Sequence, residues 1–213
     1  MKYDPQTHHR RSIRLKGYDY TQAGAYFVTI CSYQREHIFG EIVKGEMKLN
    51  NFGLVAKQQW EKLPKRFPNV ELGAFVIMPN HEHGVIQIIE DERRGTAENL
   101  QNFDRESSRR APTERFQKPV SGSIPTIVRS YKSAVAYRIN LLRNTNGVPV
   151  WQRNYYEHVI RNEKELELIT KYIEYNPMNW QLDRDNSENI NQSPPFSNVE
   201  DYIKDAETLI GIK

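Results

Sequence analysis

The sequence has little cysteine and no long apolar run. Its 213 residues include one cysteine, Cys31, which excludes an internal disulfide and a cysteine-rich zinc ribbon. No apolar stretch approaches the roughly 20 residues that a membrane helix requires. The basic N-terminus lacks the apolar core of a signal peptide. We therefore expect a cytoplasmic protein with no membrane contact, built as one domain over residues 1–180 followed by an acidic tail at 181–213.

Acidic residues are missing from a long internal stretch. Residues 115–156 contain seven Lys or Arg and no Asp or Glu. The net charge of +3 divides into +7 for residues 1–180 and −4 for the tail. A solvated basic surface would give the same composition, but a gap of this length is typical of a surface that binds a polyanion such as nucleic acid.

The pattern of apolar residues predicts an α+β fold. Strands are predicted at residues 26–32, 37–44, 71–78 and 83–89, with a short extended piece at 148–152. Helices are predicted at residues 51–63, 125–142 and 162–175. The first two strands are expected to form a hairpin, and the polar residues 91–123 a mobile insertion. This order indicates an antiparallel sheet with helices on one face.

Two histidines form the sharpest local signal. His81 and His83 follow the turn residues Pro79 and Asn80, and they are two positions apart. In an extended segment alternate side chains point to the same side, so both imidazoles can face one ion or one phosphate. Two unremarkable histidines at a strand end would show the same spacing.

The last predicted helix carries a second candidate pair. Tyr172 and Asn176 are four residues apart and therefore share a helix face. A tyrosine in an amphipathic helix is usually a packing residue, and a phenol with a pKa of about 10 is a poor nucleophile. A nearby divalent cation would favour the phenolate.

Several segments together resemble a known family. The motif MPNHEHG at 78–84 resembles the histidine strand of the HUH single-strand nucleases. Residues 10–31, VWQRNYYEHVIRN at 150–162 and KYIEYNP at 171–177 are similar to the REP-associated tyrosine transposases, a branch of the single-tyrosine HUH transposases. The resemblance covers roughly residues 10–90 and 124–180. It implies a ferredoxin-like HUH nuclease fold.

The resemblance also implies roles for individual residues. His81, His83 and Asn176 would hold a divalent cation, magnesium or manganese. Tyr172 would be the nucleophile that forms a covalent 5′-phosphotyrosine intermediate. The family's middle HUH residue is typically hydrophobic, whereas this chain has Glu82. Alternation predicts that Glu82 points away from the metal, although an irregular strand would make it a ligand or a base.

Other tyrosines compete with Tyr172 for the role of nucleophile. Tyr155, Tyr156 and Tyr175 are nearby in the sequence but do not match the position of the tyrosine in the family motif.

The implied substrate is single-stranded hairpin DNA, handled by a monomer or a homodimer. Alternatives are a replication or mobilisation initiator with the same chemistry, a non-catalytic hairpin-binding repressor, and a metal-dependent phosphodiesterase that uses water. Basic side chains would contact phosphates, and two tyrosines would stack on unpaired bases. These DNA-binding candidates are Arg10, Arg11, Arg14, Lys16, Arg129, Lys132 and Arg138, with Tyr18 and Tyr20 as the stacking residues.

Overall fold

The computed structural model describes residues 18–90, 120–183 and 185–186. The strands are β1 (Gly24–Cys31), β2 (Gly40–Val43), β3 (Glu46–Leu49), β4 (Val70–Ile77), β5 (His81–Ile88) and β6 (Tyr156–Ile160). The helices are α1 (Asn51–Glu61), the short α2 (Leu63–Arg66), α3 (Ile124–Leu142) and α4 (Glu163–Tyr175). Two 3₁₀ helices cover Tyr33–Arg35 and Asn176–Leu182.

Four strands form the main sheet in the order β4-β5-β1-β6, and every neighbouring pair is antiparallel. Helix α1 lies in sequence between β1 and β4, and α3 lies between β5 and β6. This β-α-β-β-α-β connection with the first strand in the interior of the sheet is the ferredoxin-like arrangement. The predicted α+β class with an antiparallel sheet is confirmed.

The sheet is apolar on both faces, and each face has its own cover. Val28 and Ile30 of β1 belong to a large core cluster that includes side chains of α1 and α3. Phe27 points the other way and packs with Ile169 and Ile173 of α4. Because strands that are apolar on both sides need cover on both sides, α4 lies opposite α1 and α3. The expectation that all helices lie on one face is wrong for α4.

The predicted hairpin between the first two strands is also wrong. Strand β1 pairs with β5 and β6, whereas β2 pairs with β3 in a separate two-stranded sheet. Lys44 and Gly45 connect β2 to β3, with φ angles of 53° and 78°. Two consecutive positive φ angles are what a tight two-residue hairpin turn requires, and the glycine meets this requirement without steric cost.

The last strand lies later in the chain than predicted. Residues 148–152 form no strand, although Trp151 makes an isolated bridge to Ser32. The strand that completes the sheet is β6, which contains Glu157 and His158. These two polar residues hide the strand from a search for apolar alternation.

The predicted mobile insertion at 91–123 lies outside the described residues except for its last four positions. Most of the predicted acidic tail also lies outside them, but residues 181–183 and 185–186 are described. No helix in the described part of the chain is long and apolar enough to cross a membrane.

Candidate active site

The two histidines of the HxH motif meet at the start of β5. His81 and His83 are both 0% exposed, and their Nε2 atoms are 3.0 Å apart. Two ligand atoms about 2.1 Å from one ion and at right angles to each other lie about 3.0 Å apart. The spacing therefore fits two neighbouring ligands of a single cation.

Each imidazole is oriented by an oxygen on its other nitrogen. Nδ1 of His81 lies 2.8 Å from Oδ1 of Asn80, and Nδ1 of His83 lies 2.8 Å from Oγ1 of Thr29. Donation from Nδ1 puts the lone pair of each imidazole on Nε2, which is the usual arrangement around metal-binding histidines. Burial, together with the neighbouring His81, holds the pKa of His83 well below its usual value. His83 is thus kept in the neutral form that a metal ligand requires.

Carboxylates reach the histidine pair from the chain that follows α4. His81, His83 and Asp185 each offer one ligand atom, and these atoms all lie within 4.8 Å of one another. Oδ2 of Asp183 is 3.7 Å from Nε2 of His81. Asp185 is held by an ion pair with Arg35. The group of His81, His83 and Asp185 could therefore hold a metal ion.

Neither Asp183 nor Asp185 was identified from the sequence, because both fall in the segment interpreted as an acidic tail. The signal that could have found them is the apolar Trp180 and Leu182 just before them. The Trp180 ring packs against His81 with 6.0 Å between ring centroids. The amide of Asn80 donates to the backbone oxygen of Asp185 at 2.7 Å. These contacts return the chain to the histidines.

Asn176 lies beside Asp183 at the edge of this group. It is 2% exposed, and its Oδ1 is buried with no hydrogen-bond partner among the described residues. Burial raises the pKa of Asp183, while His81 and a hydrogen bond from the Asn176 side chain act in the opposite direction. A buried acceptor without a partner among the described residues, beside Asp183, fits a cation site, since burying an unbonded oxygen otherwise costs free energy.

Tyr172 faces the same histidines from α4. Its hydroxyl oxygen lies 3.4 Å from Nε2 of His83, and the two rings are 5.2 Å apart in a T-shaped arrangement. The side chain is 5% exposed and packs on Phe27. The fold thus brings His81, His83, Asn176 and Tyr172 to one locus, which the chain separation alone does not require.

Of the three competing tyrosines, one shares the sheet face of the histidines, one packs on the other face and one is exposed. Tyr156 is paired with Thr29 across the sheet, and its ring contacts Phe27 at 6.3 Å. Tyr155 packs against the core cluster on the other face of the sheet. Tyr175 is 43% exposed. Tyr156 is thus the rival on the same face as the histidines.

Glu82 lies on the opposite side of β5, as alternation predicts. It is 1% exposed, and its Oε2 accepts a 2.6 Å hydrogen bond from the Tyr131 hydroxyl. Burial raises the pKa of Glu82 to about 8. The residue is neither a metal ligand nor a base on the face of the histidines.

The basic DNA-binding candidates differ in whether the structure describes them and in whether their side chains are exposed. Arg10, Arg11, Arg14 and Lys16 lie outside the described residues. Arg129 and Arg138 are exposed on α3, while Lys132 is hydrogen-bonded to backbone oxygens.

The two candidate stacking residues are already packed against each other. The Tyr18 and Tyr20 rings are 4.9 Å apart, and both rings also contact Tyr26. Tyr20 is only 7% exposed. The core already uses this ring, which argues against base stacking by Tyr20.

Comparison with known proteins gives one relative without an assigned function and one named as a transposase. No model of a known protein family matches the chain. An uncharacterized protein of Haemophilus influenzae is 45% identical over 183 residues, which cover 86% of this chain and 96% of the relative. A second protein of that organism, named as a REP-associated tyrosine transposase, is 28% identical over 160 residues, or 75% of this chain and 73% of that protein.

A solved structure shares the fold. The structure of a REP-associated tyrosine transposase bound to a REP hairpin covers 81% of this chain and 73% of its own, with a TM-score of 0.50 and 18% identity.

The fold and the gathered side chains define an α+β protein of ferredoxin-like topology with a buried histidine pair beside a helix tyrosine. Within this class the chain belongs to one family with the first Haemophilus influenzae protein. Its resemblance to the REP-associated tyrosine transposases, predicted from the sequence motifs, is confirmed.

Proposed function

We propose that the protein is a metal-dependent single-stranded DNA endonuclease and strand transferase, a transposase that acts on hairpin DNA. One contact carries this proposal: the Tyr172 hydroxyl lies 3.4 Å from Nε2 of His83. A phenol so close to a histidine pair can act on a phosphate that the same site holds. The Haemophilus influenzae relative named as a REP-associated tyrosine transposase supports this reaction class.

The cation would be held by His81, His83 and Asp185, with Asn176 and Asp183 close enough to complete or adjust the site. The hard oxygen donors suit Mg²⁺ or Mn²⁺, whereas the two imidazoles alone would also suit softer divalent ions such as Zn²⁺. When bound, the cation supplies Lewis-acid polarisation of a phosphate oxygen and favours the tyrosine phenolate. The chain itself contributes orientation, because Asn80 and Thr29 fix both imidazoles.

Tyr172 carries out the bond exchange. Its phenolate oxygen attacks the scissile phosphorus in line, and the bond from phosphorus to the 3′ oxygen breaks. The products are a 5′-phosphotyrosine and a free 3′-hydroxyl that has taken up a proton. The reverse attack by a 3′-hydroxyl rejoins DNA and regenerates Tyr172. The phosphodiester energy is conserved in the adduct, so no nucleotide cofactor is required.

Two observations support a hairpin substrate: the shared fold of a hairpin-bound transposase and the exposed arginines of α3. The solved structure with the shared fold is of a transposase bound to a REP hairpin. In this chain Arg129 and Arg138 are exposed on a helix within the stretch that lacks acidic residues. We expect these two arginines to contact phosphates of the hairpin away from the cleavage site, since α3 covers the sheet face opposite the histidines. The basic residues near the N-terminus remain candidates from the sequence alone.

The test is covalent trapping on labelled hairpin DNA with Mn²⁺ or Mg²⁺, followed by a denaturing gel. The native protein should form a protein–DNA adduct, and mass spectrometry should map it to Tyr172. Tyr172→Phe should abolish both cleavage and adduct, because phenylalanine has no atom to attack phosphorus. The change removes only the hydroxyl oxygen, so folding should lose at most about 1–3 kcal/mol.

Tyr156→Phe is the matched control, since Tyr156 lies on the same sheet face and contacts the same Phe27. It should keep the adduct. An adduct that maps to Tyr156 would move the nucleophile without changing the reaction class. Cleavage that leaves no adduct would replace the transferase with a hydrolase that uses water. Tight hairpin binding with no cleavage would indicate a repressor.

A further inference from the structure

The middle residue of the histidine strand has a partner on the far side of the sheet. Glu82 is buried, and its Oε2 accepts a 2.6 Å hydrogen bond from the hydroxyl of Tyr131 in α3. Its Oε1 is buried with no hydrogen-bond partner among the described residues. The backbone oxygen of Ala56 is a second, more distant acceptor for the same hydroxyl, at 3.4 Å. A single short hydrogen bond therefore fixes the Glu82 carboxyl.

The next residue on this face is closely packed as well. A Cβ added at Gly84 would lie 2.4 Å from Cζ2 of Trp60, so the strand has no room to move towards that ring. The rings of Trp60 and Tyr131 meet at 88° with 5.4 Å between centroids. The segment that carries the histidines thus rests on two perpendicular rings, one from α1 and one from α3.

We propose that Glu82 and Tyr131 are positioning residues, and that their hydrogen bond sets the orientation of His81 and His83 for cation binding. Successive side chains leave a strand on opposite sides. A rotation of β5 that carries Glu82 away from Tyr131 therefore turns both imidazoles as well. This inference rests on the metal site of the proposed function.

The start of β5 is held by its backbone on both sides. His81 pairs with Cys31 of β1, and its backbone oxygen accepts from the N–H of Met78 at 2.8 Å across the turn from β4. These backbone bonds fix the position of the strand, but they leave its rotation about its own axis to side-chain contacts. The side-chain contact of Glu82 with α3 adds a restraint at this point.

The contact also predicts how variants combine. Among the described residues, Tyr131→Phe leaves a buried carboxyl with neither oxygen hydrogen-bonded, and Glu82→Leu leaves the Tyr131 hydroxyl with only the distant Ala56 oxygen. Each single change favours a shift of the strand, since unbonded buried polar groups are costly. The double variant Glu82→Leu/Tyr131→Phe pairs two apolar groups and removes the reason for the shift. Metal affinity should therefore show coupling between the two positions.

The experiment is a Mn²⁺ titration of the full-length protein, followed by electron paramagnetic resonance. Tyr131→Phe and Glu82→Leu should each weaken binding by about 3- to 10-fold, less than the 10- to 100-fold typical of residues that hydrogen-bond a ligand directly. The double variant should bind within about twofold of the native protein, as expected for strong coupling. Tyr137→Phe, an exposed position on the same helix, should bind Mn²⁺ as the native protein does.

Two further measurements separate positioning from a loss of fold. Imidazole NMR signals of His81 and His83 in the metal-free protein should shift in both single variants and return in the double variant. Glu82→Gln keeps an acceptor for the Tyr131 hydroxyl and should bind Mn²⁺ normally, so it serves if Tyr131→Phe fails to fold. Weakened binding by Glu82→Gln equal to that of Glu82→Leu would contradict the proposal.

Single variants that lose stability but keep native Mn²⁺ affinity would also overturn the positioning role and leave the proposed function intact. A double variant that binds Mn²⁺ as weakly as the single variants do would likewise contradict the positioning role. A native protein that binds no Mn²⁺ would instead remove the metal site, and the positioning role with it.

Discussion

Lys132 illustrates how a residue chosen for its charge can have a structural task. Its Nζ donates to the backbone oxygens of Gln152 at 2.6 Å and of Arg153 and Asn154 at 3.3 Å. Burial lowers the pKa of Lys132 from 10.5 to about 8, while Glu82 and Cys31 act in the opposite direction. The ammonium group therefore secures the turn before β6, and the prediction of phosphate contacts on α3 now rests on Arg129 and Arg138.

The lowered pKa of Lys132 predicts how stability depends on pH. Between about pH 8 and 10.5 the unfolded chain keeps a proton that the folded protein releases. Stability from this group therefore rises with pH across that window. The free energy of unfolding of the native protein, relative to Lys132→Met, should increase by about 1–2 kcal/mol, less than the full shift because the side chain is partly exposed. Urea unfolding at several pH values measures the difference, and a constant difference would show an unshifted pKa.

At the residue scale, spacing alone predicted that His81 and His83 share one side, because two-residue alternation is a local property of strands. Their meeting with Tyr172 depends on α4 crossing the sheet, which the family resemblance implied and spacing could not show. Asp183 and Asp185 were missed for the opposite reason. Acidic residues after a helix look solvated, and the apolar residues just before them were too weak a signal to overturn that interpretation. The contacts of Asp185 with Arg35 and Asn80 show that this segment turns inward.

Helix α4 is the element that presents the tyrosine, and its first turn is firmly capped. Oδ1 of Asn162 accepts from the backbone N–H of Glu165 at 2.9 Å. The Glu165 carboxylate in turn lies 2.7 Å from Nε2 of His158 in β6 and accepts from the backbone N–H of Arg161 at 2.7 Å. The start of α4 is thereby tied to the edge strand.

Removal of this cap should loosen the helix measurably. Asn162→Ala should lower the free energy of unfolding by about 1 kcal/mol, because the N–H of Glu165 loses its acceptor. Asn162→Ser supplies a hydroxyl oxygen and should retain most of the stability. Urea denaturation of the three proteins gives the comparison. Equal losses for alanine and serine would indicate that the cap contributes little.

At the element scale, the sequence predicts the long elements better than the short ones. The apolar period of α3 extends over 19 residues and is unmistakable. Strands β2 and β3 have four residues each, which is too short for alternation to be distinctive. The Lys44–Gly45 turn between them was the available signal, since glycine favours the positive φ angle found there.

On the scale of the whole molecule, charge is segregated along the chain. The acid-free stretch at 115–156 includes α3, and it contrasts with the net −4 of residues 181–213. Arg129 and Arg138 are exposed on α3, so the surface of this helix is the candidate contact for a polyanion.

Hairpin binding should therefore depend strongly on salt. If about six phosphates are contacted, log K should fall with log salt at a slope near −4 for single strands. The double variant Arg129→Ala/Arg138→Ala should flatten that slope by about 1.4 if each arginine neutralises one phosphate. Fluorescence anisotropy across a salt series gives the slopes. A flat response, with equal affinity for a hairpin and a random duplex, would exclude a specific polyanion surface.

The alternation of side chains in β5 limits which insertions the start of the strand can accept. A single residue added between His81 and Glu82 would turn the His83 imidazole into the aromatic core and the Glu82 carboxylate towards α4, since one extra residue exchanges the two faces of a strand. Two added residues would restore both faces. Changes of length in this strand are therefore compatible with the site only in even steps.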